Sequence, residues 1–242
     1  MIPLRDSVRS QRRPWVTYVI IAANLLVFAY QLTLTRLQLA HFAVQYGMVP
    51  ARFWAGLFSG AGAPGHLGLV GLGGLGGVAG LAVTLAPLFT ATFIHGGWLH
   101  LGGNMLYLWV FGDNIEDRLG HLGYVVFYLL AGAAANIAHA AAGAGSLVPA
   151  VGASGAIAGV LGAYLVAFPR ARVLTLVPLG PFLRVIEVPA VFLLALWFLL
   201  QLANGVAGLG MPAGAGVAWW AHIGGFLAGV VVMMFLRRRA GR

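Results

Sequence analysis

The chain has 242 residues, of which 61% are hydrophobic and 8% are charged, whereas soluble domains carry about a quarter charged residues. This composition excludes an ordinary soluble domain and indicates an integral membrane protein. The chain has no cysteine, which excludes thiol catalysis. Its net charge is +9, and its arginines lie at the chain ends and in short loops, which is typical of topology signals in membrane proteins rather than of a nucleic-acid-binding surface.

Six apolar segments follow one another along the chain, and at about 20 residues a span they suit a single bundle. The predicted fold class is therefore all-α, a polytopic membrane protein with six transmembrane helices. The predicted spans are Trp15 to Leu34, Gly97 to Val110, Tyr124 to Ala142, Ser154 to Phe168, Val188 to Leu209, and Trp219 to Leu236.

Basic residues define the ends of the predicted membrane domain. Residues 1–14 are predicted to be a cytoplasmic N-terminus, residues 15–236 the membrane domain, and residues 237–242 a cytoplasmic tail. Twelve of the 14 arginines fall on one side of the six spans, which leaves Arg36 and Arg52 on the other. The positive-inside rule then places both termini in the cytoplasm. The first apolar run, from Trp15, is too long for a cleavable signal peptide.

Two connecting segments have unusual composition. The outer loop over residues 55–86 contains the glycine-rich run "GLVGLGGLGGVAG", which we interpret as a tolerated insertion without chemistry of its own. The cytoplasmic loop over residues 168–189 has prolines at both ends and apolar residues between them. It is predicted to lie along the membrane surface.

Polar residues inside apolar spans need a reason, because an unpaired polar group in hydrocarbon costs several kcal/mol. Taken singly, a serine can bond the carbonyl four residues back, and a histidine can bridge helices as a structural partner. The residues concerned are Ser154, His222, the set His95, His100 and Asn104, and the pair Asn136 and His139.

Depth brings two of these residues together. Ser154 and His222 each lie about 15 residues, or about 22 Å, from the cytoplasmic end of a predicted helix. Small residues beside them allow close helix packing, which would make Ser154 a nucleophile and His222 its base. These small residues are Gly155, Gly159 and Gly162 on one helix and Ala221, Gly225 and Gly229 on the other. His139 reaches a similar depth and is the alternative base.

An oxyanion formed at Ser154 would need hydrogen-bond donors. His100 and Asn104 are four residues apart on one helix face, and the Ser154 backbone N–H begins a helix. All five acids are predicted to be cytoplasmic, so a dyad without a buried carboxylate is expected. The acidic cluster Asp113, Glu116 and Asp117 lacks a suitably spaced histidine, so neither a metal nor any other cofactor is predicted.

The segments "HGGWLHLGGN", "GASGAIAG" and "AHIGGFLAG", together with "EDRLG" (residues 116–120), resemble the rhomboid family of intramembrane serine proteases. The resemblance extends over nearly the whole chain, in order and spacing. It implies that Ser154 is the nucleophile and His222 the general base, with His100, Asn104 and the Ser154 N–H contacting the oxyanion. It also implies supporting positions at Gly152 and Gly155 in the GxSG turn and at His95 near the site.

The family often has an aromatic residue four positions after the nucleophile, packed against the base. Ala158 stands there in this chain. Another group must therefore orient His222, and a neighbouring tryptophan is one candidate.

The predicted function is an intramembrane serine endopeptidase that cleaves transmembrane segments of other membrane proteins. Its predicted partners are these substrates and the lipid bilayer, and its predicted location is a cell membrane, the bacterial inner membrane. Two alternatives remain. An inactive rhomboid-like binding protein is disfavoured because Ser154 and His222 are both present. A channel or transporter is disfavoured because embedded acids and inverted repeats are missing.

Overall fold

Helices occupy all six of the predicted spans. The structure is a computed structural model that describes residues 1–58, 77–179, 182–209 and 217–240. A mostly helical, polytopic membrane fold is thereby confirmed. The helices of the described residues are α1 (Trp15–Leu32), α2 (Arg36–Tyr46), α3 (Pro50–Phe58), α4 (Gly77–Leu85), α5 (Pro87–Thr90), α6 (Trp98–Leu119), α7 (His121–Ala142), α8 (Ser154–Ala167), α9 (Ala190–Ala207) and α10 (Trp219–Ala240).

The number of membrane crossings stays a prediction. Within the described residues, four helices (α1, α7, α9 and α10) are long and apolar enough to span a bilayer. A fifth span would combine Ala79–Phe93 with α6, across a bend of 85°. Helix α8 has 14 residues, so it is about 21 Å long and shorter than the roughly 30 Å hydrocarbon core.

Most of the glycine-rich outer loop, residues 59–76, lies outside the described residues. Its last part forms helix α4. The interpretation of this loop as an insertion without chemistry therefore stays a prediction.

The loop predicted to lie along the membrane surface contains two strands. Strands β2 (Arg172–Leu179) and β3 (Phe182–Pro189) pair antiparallel, from Arg172 opposite Pro189 to Leu179 opposite Phe182. Val173, Thr175 and Val177 are buried while their neighbours are more exposed, which is the period of two that a half-buried strand requires. No strands were predicted for this loop, and its position along the membrane surface stays a prediction.

The N-terminal segment completes the sheet. Strand β1 (Ile2–Asp6) pairs antiparallel with β2, with Ile2 opposite Leu176, and gives the strand order β1-β2-β3. Residues 1–14 are thus structured over the first strand, at the same end of the bundle as the loop that follows α8.

Glu116 of the "EDRLG" segment caps the start of α1. Its carboxylate accepts hydrogen bonds from the backbone N–H groups of Val16 (2.9 Å) and Thr17 (2.8 Å) and from the Thr17 hydroxyl (2.7 Å). The first N–H groups of a helix have no partner within the helix, and a negative charge there is stabilising. Glu116 therefore has a structural role that ties α6 to α1.

Helix α8 lies at the centre of the bundle. All ten residues from Gly155 to Tyr164 are buried. A Cβ atom built at Gly225 would overlap the carbonyl oxygen of Gly155, and one built at Gly229 would overlap that of Gly159. The small residues predicted to bring these two helices together do lie at the α8–α10 contact.

Asp6, at the end of β1, fastens the sheet to the bundle. Its Oδ2 accepts hydrogen bonds from the Tyr164 hydroxyl of α8 and from Asn114 Nδ2 of α6. Burial raises the pKa of the Asp6 carboxyl to about 6, which the Tyr164 hydrogen bond opposes and the nearby Asp113 charge reinforces. The folded protein thus holds this proton more tightly than the unfolded chain does.

This raised pKa gives a pH dependence of stability. Between the ordinary pKa of 3.8 and about 6 the folded state binds more protons, so the free energy of unfolding falls as the pH rises through that window. When the pH is raised from 5 to 7.5, we expect the melting temperature of wild type to fall further than that of Asp6→Asn. Thermal unfolding of both proteins in detergent measures this, and an equal change in the two would contradict it.

Candidate active site

Ser154 and His222 meet at the α8–α10 contact. Ser154 is the first residue of α8, and its Oγ lies 2.8 Å from Nε2 of His222 in the first turns of α10. Because glycines replace larger side chains below this pair, the two helix backbones are in direct contact. Ser154 and His222 were predicted to meet because they share a depth and have small residues beside them. They lie within hydrogen-bond distance of each other.

The segment before Ser154 is fixed by backbone hydrogen bonds. Met48 and Ala150 exchange two of them, at 2.9 and 2.8 Å, and the Gly152 N–H donates to the Ala91 carbonyl at 2.9 Å. Gly152 has a φ of +129°, a conformation that favours glycine. These contacts hold the GxSG turn against the connection between α2 and α3 and against the short 3-10 turn that follows α5.

His100 stands on the other side of this turn. The Gly96 N–H donates to His100 Nδ1 at 3.3 Å, so in the neutral ring Nε2 carries the hydrogen. A Cβ atom built at Gly152 would lie 2.7 Å from His100 Nε2 and 3.6 Å from Ser154 Oγ. His100 Nε2 is therefore a donor beside the serine, and any larger residue at position 152 would collide with it.

Asn104 and His95 are buried near His100. Asn104 is 7% exposed, and its Nδ2 has no hydrogen-bond partner among the described residues. The His95 ring is 2% exposed, and its centroid lies 5.1 Å from that of His100. The His95 backbone is held by Gln31 of α1, which donates to its carbonyl and accepts from its N–H at 2.9 and 3.0 Å. His95 thus packs against His100, while Asn104 offers a second donor.

Gly155 completes the supporting positions. A Cβ atom built there would lie 2.6 Å from Ala135 Cβ of α7 and 3.7 Å from Ala221 Cβ of α10. This position therefore lets α8 fit between α7 and α10 directly after the serine.

Gln201 of α9 contacts the far side of the His222 ring. Gln201 Oε1 lies 2.7 Å from His222 Nδ1. The Trp197 and Trp219 rings also lie beside the imidazole, with centroids 5.7 and 6.2 Å from it. Tryptophan rings do lie beside His222, but the suggestion that one of them orients the imidazole stays a prediction. Gln201 was not singled out from the sequence, although it is a polar residue in the apolar run "LWFLLQLANG".

Asn136 and His139, the other polar pair of the apolar spans, are not hydrogen-bonded to Ser154 within the described residues. Asn136 Nδ2 donates to the Leu88 carbonyl of α5 at 2.9 Å, which is the structural bridge that the simpler interpretation predicts. Within the described residues, no hydrogen bond joins His139 to Ser154, whereas one joins His222 to Ser154.

Known proteins resemble this chain over the part that carries these residues. The rhomboid domain family matches residues 82–239, more than half of the chain. Rhomboid protein 1, mitochondrial, of Saccharomyces cerevisiae is 32% identical over 61% of this chain and 41% of its own length. Rhomboid-like protein 11, chloroplastic, of Arabidopsis thaliana is 31% identical over 62% of this chain and 51% of its own length.

A shorter match links the chain to the human presenilin-associated rhomboid-like protein, mitochondrial, which is 35% identical over 37% of this chain and 24% of its own length. The chain therefore spans about half or less of the length of these curated relatives. Two of them are named mitochondrial and one chloroplastic, so they give no support to the bacterial inner membrane. Sequence and family match together establish that this chain belongs to the rhomboid family.

Proposed function

We propose that this protein is an intramembrane serine endopeptidase in which Ser154 and His222 form the catalytic dyad. The observation that carries this proposal is the 2.8 Å distance between Ser154 Oγ and His222 Nε2. A general base must lie within about 2.6 to 3.2 Å of the atom whose proton it takes. The Ser154–His222 pair meets this condition.

The surrounding donors support acyl transfer in particular. In this reaction Ser154 Oγ attacks a peptide carbonyl while His222 takes the hydroxyl proton and then gives it to the leaving amine. Water later hydrolyses the acyl-enzyme. Negative charge on the carbonyl oxygen would be stabilised by the Ser154 N–H, His100 Nε2 and Asn104 Nδ2. The unpaired Nδ2 of Asn104 and the donor state of His100 Nε2 agree with this role.

The substrates we propose are transmembrane segments of other membrane proteins. The dyad is built between apolar helices of a membrane bundle, and α9 beside it presents exposed apolar side chains such as Phe192 and Leu199. A substrate helix in the bilayer would meet this surface first. The inactive binding protein remains the second candidate because it requires the same fold, but it does not require a serine hydrogen-bonded to a histidine.

Labelling with a fluorophosphonate in detergent tests the dyad without a known substrate. We expect wild type to be labelled and His222→Ala to react about a hundredfold more slowly, because the general base is lost. The matched control is His139→Ala, which removes a second histidine of similar depth and should be labelled at the wild-type rate. Unlabelled wild type, or a loss confined to His139→Ala, would overturn the assignment.

A further inference from the structure

The side chain of Gln201 is fixed on both sides. It is 7% exposed, and its amide Nε2 donates to the Trp197 backbone carbonyl at 3.3 Å. A carbonyl oxygen can only accept a hydrogen bond, so the nitrogen end of the amide faces Trp197. The oxygen end, Oε1, therefore faces His222 Nδ1 at 2.7 Å.

This orientation determines which imidazole nitrogen carries the hydrogen. Oε1 can only accept, so His222 Nδ1 has to be the donor. In the neutral ring Nε2 is then unprotonated, and it is the nitrogen that lies 2.8 Å from Ser154 Oγ. With the hydrogen on Nε2 instead, the ring could not accept the serine proton. We propose that Gln201 is a positioning residue that holds His222 in the Nδ1–H tautomer, poised to act as the base.

The other neighbours of the ring cannot do this. Trp197 and Trp219 contact the imidazole, but an indole nitrogen is a donor and offers Nδ1 no acceptor. Ala158 has no polar side-chain atom. Among the described residues, the Gln201 oxygen is the side-chain hydrogen-bond partner of Nδ1. A neutral amide thus fills the orienting place that a buried carboxylate fills in a triad, without adding its charge.

This inference rests on the proposed function of the Ser154–His222 pair, and its test uses Gln201→Leu. The matched control is Asn204→Leu, because Asn204 lies on the same helix and also bonds the carbonyl four residues back, at 2.7 Å, but is exposed. Loss of an orienting partner costs a ligating histidine about ten- to a hundredfold in metal sites. We expect a loss of that size in the maximal labelling rate of Gln201→Leu with a fluorophosphonate, with the half-saturating probe concentration little changed. Asn204→Leu should match wild type.

Nitrogen-15 NMR of histidine-labelled protein in detergent at pH 8 reads the tautomer without any catalysis. The His222 signals are identified by their absence from His222→Ala. We expect a protonated Nδ1 and an unprotonated Nε2 in wild type, and a mixture of tautomers in Gln201→Leu.

The two readouts separate the ways of failing. If wild type is not labelled but its NMR shows the Nδ1–H tautomer and Gln201→Leu loses it, the proposed function fails and the positioning role stands. An Nε2–H tautomer in wild type, or an unchanged tautomer in Gln201→Leu, would overturn the positioning role. So would a Gln201→Leu labelling rate equal to that of wild type when wild type is active.

Discussion

Ser154→Ala is expected to abolish fluorophosphonate labelling and any peptide cleavage while leaving the melting temperature near that of wild type. The substitution removes the atom that we propose forms the acyl-enzyme, and loss of a catalytic serine can cost about a millionfold in turnover. Ser154 is only partly buried, and its side-chain hydrogen bond is to His222, so the packing of α8 is retained. Labelling and thermal unfolding of the same preparation measure both effects.

The matched control for this experiment is Ser146→Ala. Ser146 lies in the loop between α7 and α8, where its hydroxyl accepts from the Val148 N–H at 3.2 Å. Its loss removes the same atom outside the dyad, and we expect wild-type labelling. Equal labelling of Ser154→Ala and wild type would show that another residue is the nucleophile.

Gly225→Val is expected to lower the rate of fluorophosphonate labelling about a hundredfold, although it removes no reacting atom. A Cβ atom at position 225 would overlap the Gly155 carbonyl oxygen, which is backbone and cannot turn aside. The α8 and α10 backbones must separate, and a shift of about 1 Å at a reacting pair costs about a hundredfold in rate. Overpacking should also destabilise the fold by about 1–3 kcal/mol. Labelling rate and melting temperature measure the two effects.

Two further variants define the cause. Gly225→Ala adds only the overlapping Cβ atom, so it should also lose activity and stability, to a smaller extent. Gly123→Val is the matched control on α7, since a Cβ atom there would meet its nearest neighbour, Leu119, at an ordinary 3.5 Å. It should behave as wild type. Wild-type activity in both Gly225 variants would mean that the helices tolerate separation and that close packing does not set the dyad.

The contact between Ser154 and His222 could be predicted because the signals for it lie at a few positions beside each residue. Ser154 and His222 stand out as polar residues in apolar helices, and the distance of each from a helix end can be counted. Gly155 and Gly225, next to them, indicate which helix faces meet. The Ser154 Oγ to His222 Nε2 contact follows from these few positions.

Gln201 was harder to place. It satisfies the criterion that singled out the other polar residues, and Gly205, one turn later on α9, is a small residue that packs against Ile223 of α10. A single glycine is a weaker signal than the paired small-residue faces of α8 and α10. Whether Gln201 points to His222 or to lipid depends on packing among Trp197, Trp219 and Phe226. The capping of α1 by Glu116 also could not be predicted. It joins residues about a hundred positions apart, and a hydrophobic periodicity does not indicate contacts between distant polar residues.

The sheet could be predicted only in part. The apolar or small side chains at Val173, Thr175 and Val177 alternate with others, which indicates a strand. The sequence of residues 2–6, however, does not predict that they pair with β2.

The pairing of β1 with β2 has a consequence for the time course of synthesis. Ile2 is made before α1, and its partner Leu176 follows only after α1 to α8 have been made. At about 5–20 residues per second, β1 waits roughly 10 to 35 seconds for its neighbouring strand. Strand β1, which precedes all of these helices, is thus paired only after the serine-bearing helix α8 has been made, so closure of the sheet is a late event in the maturation of this protein.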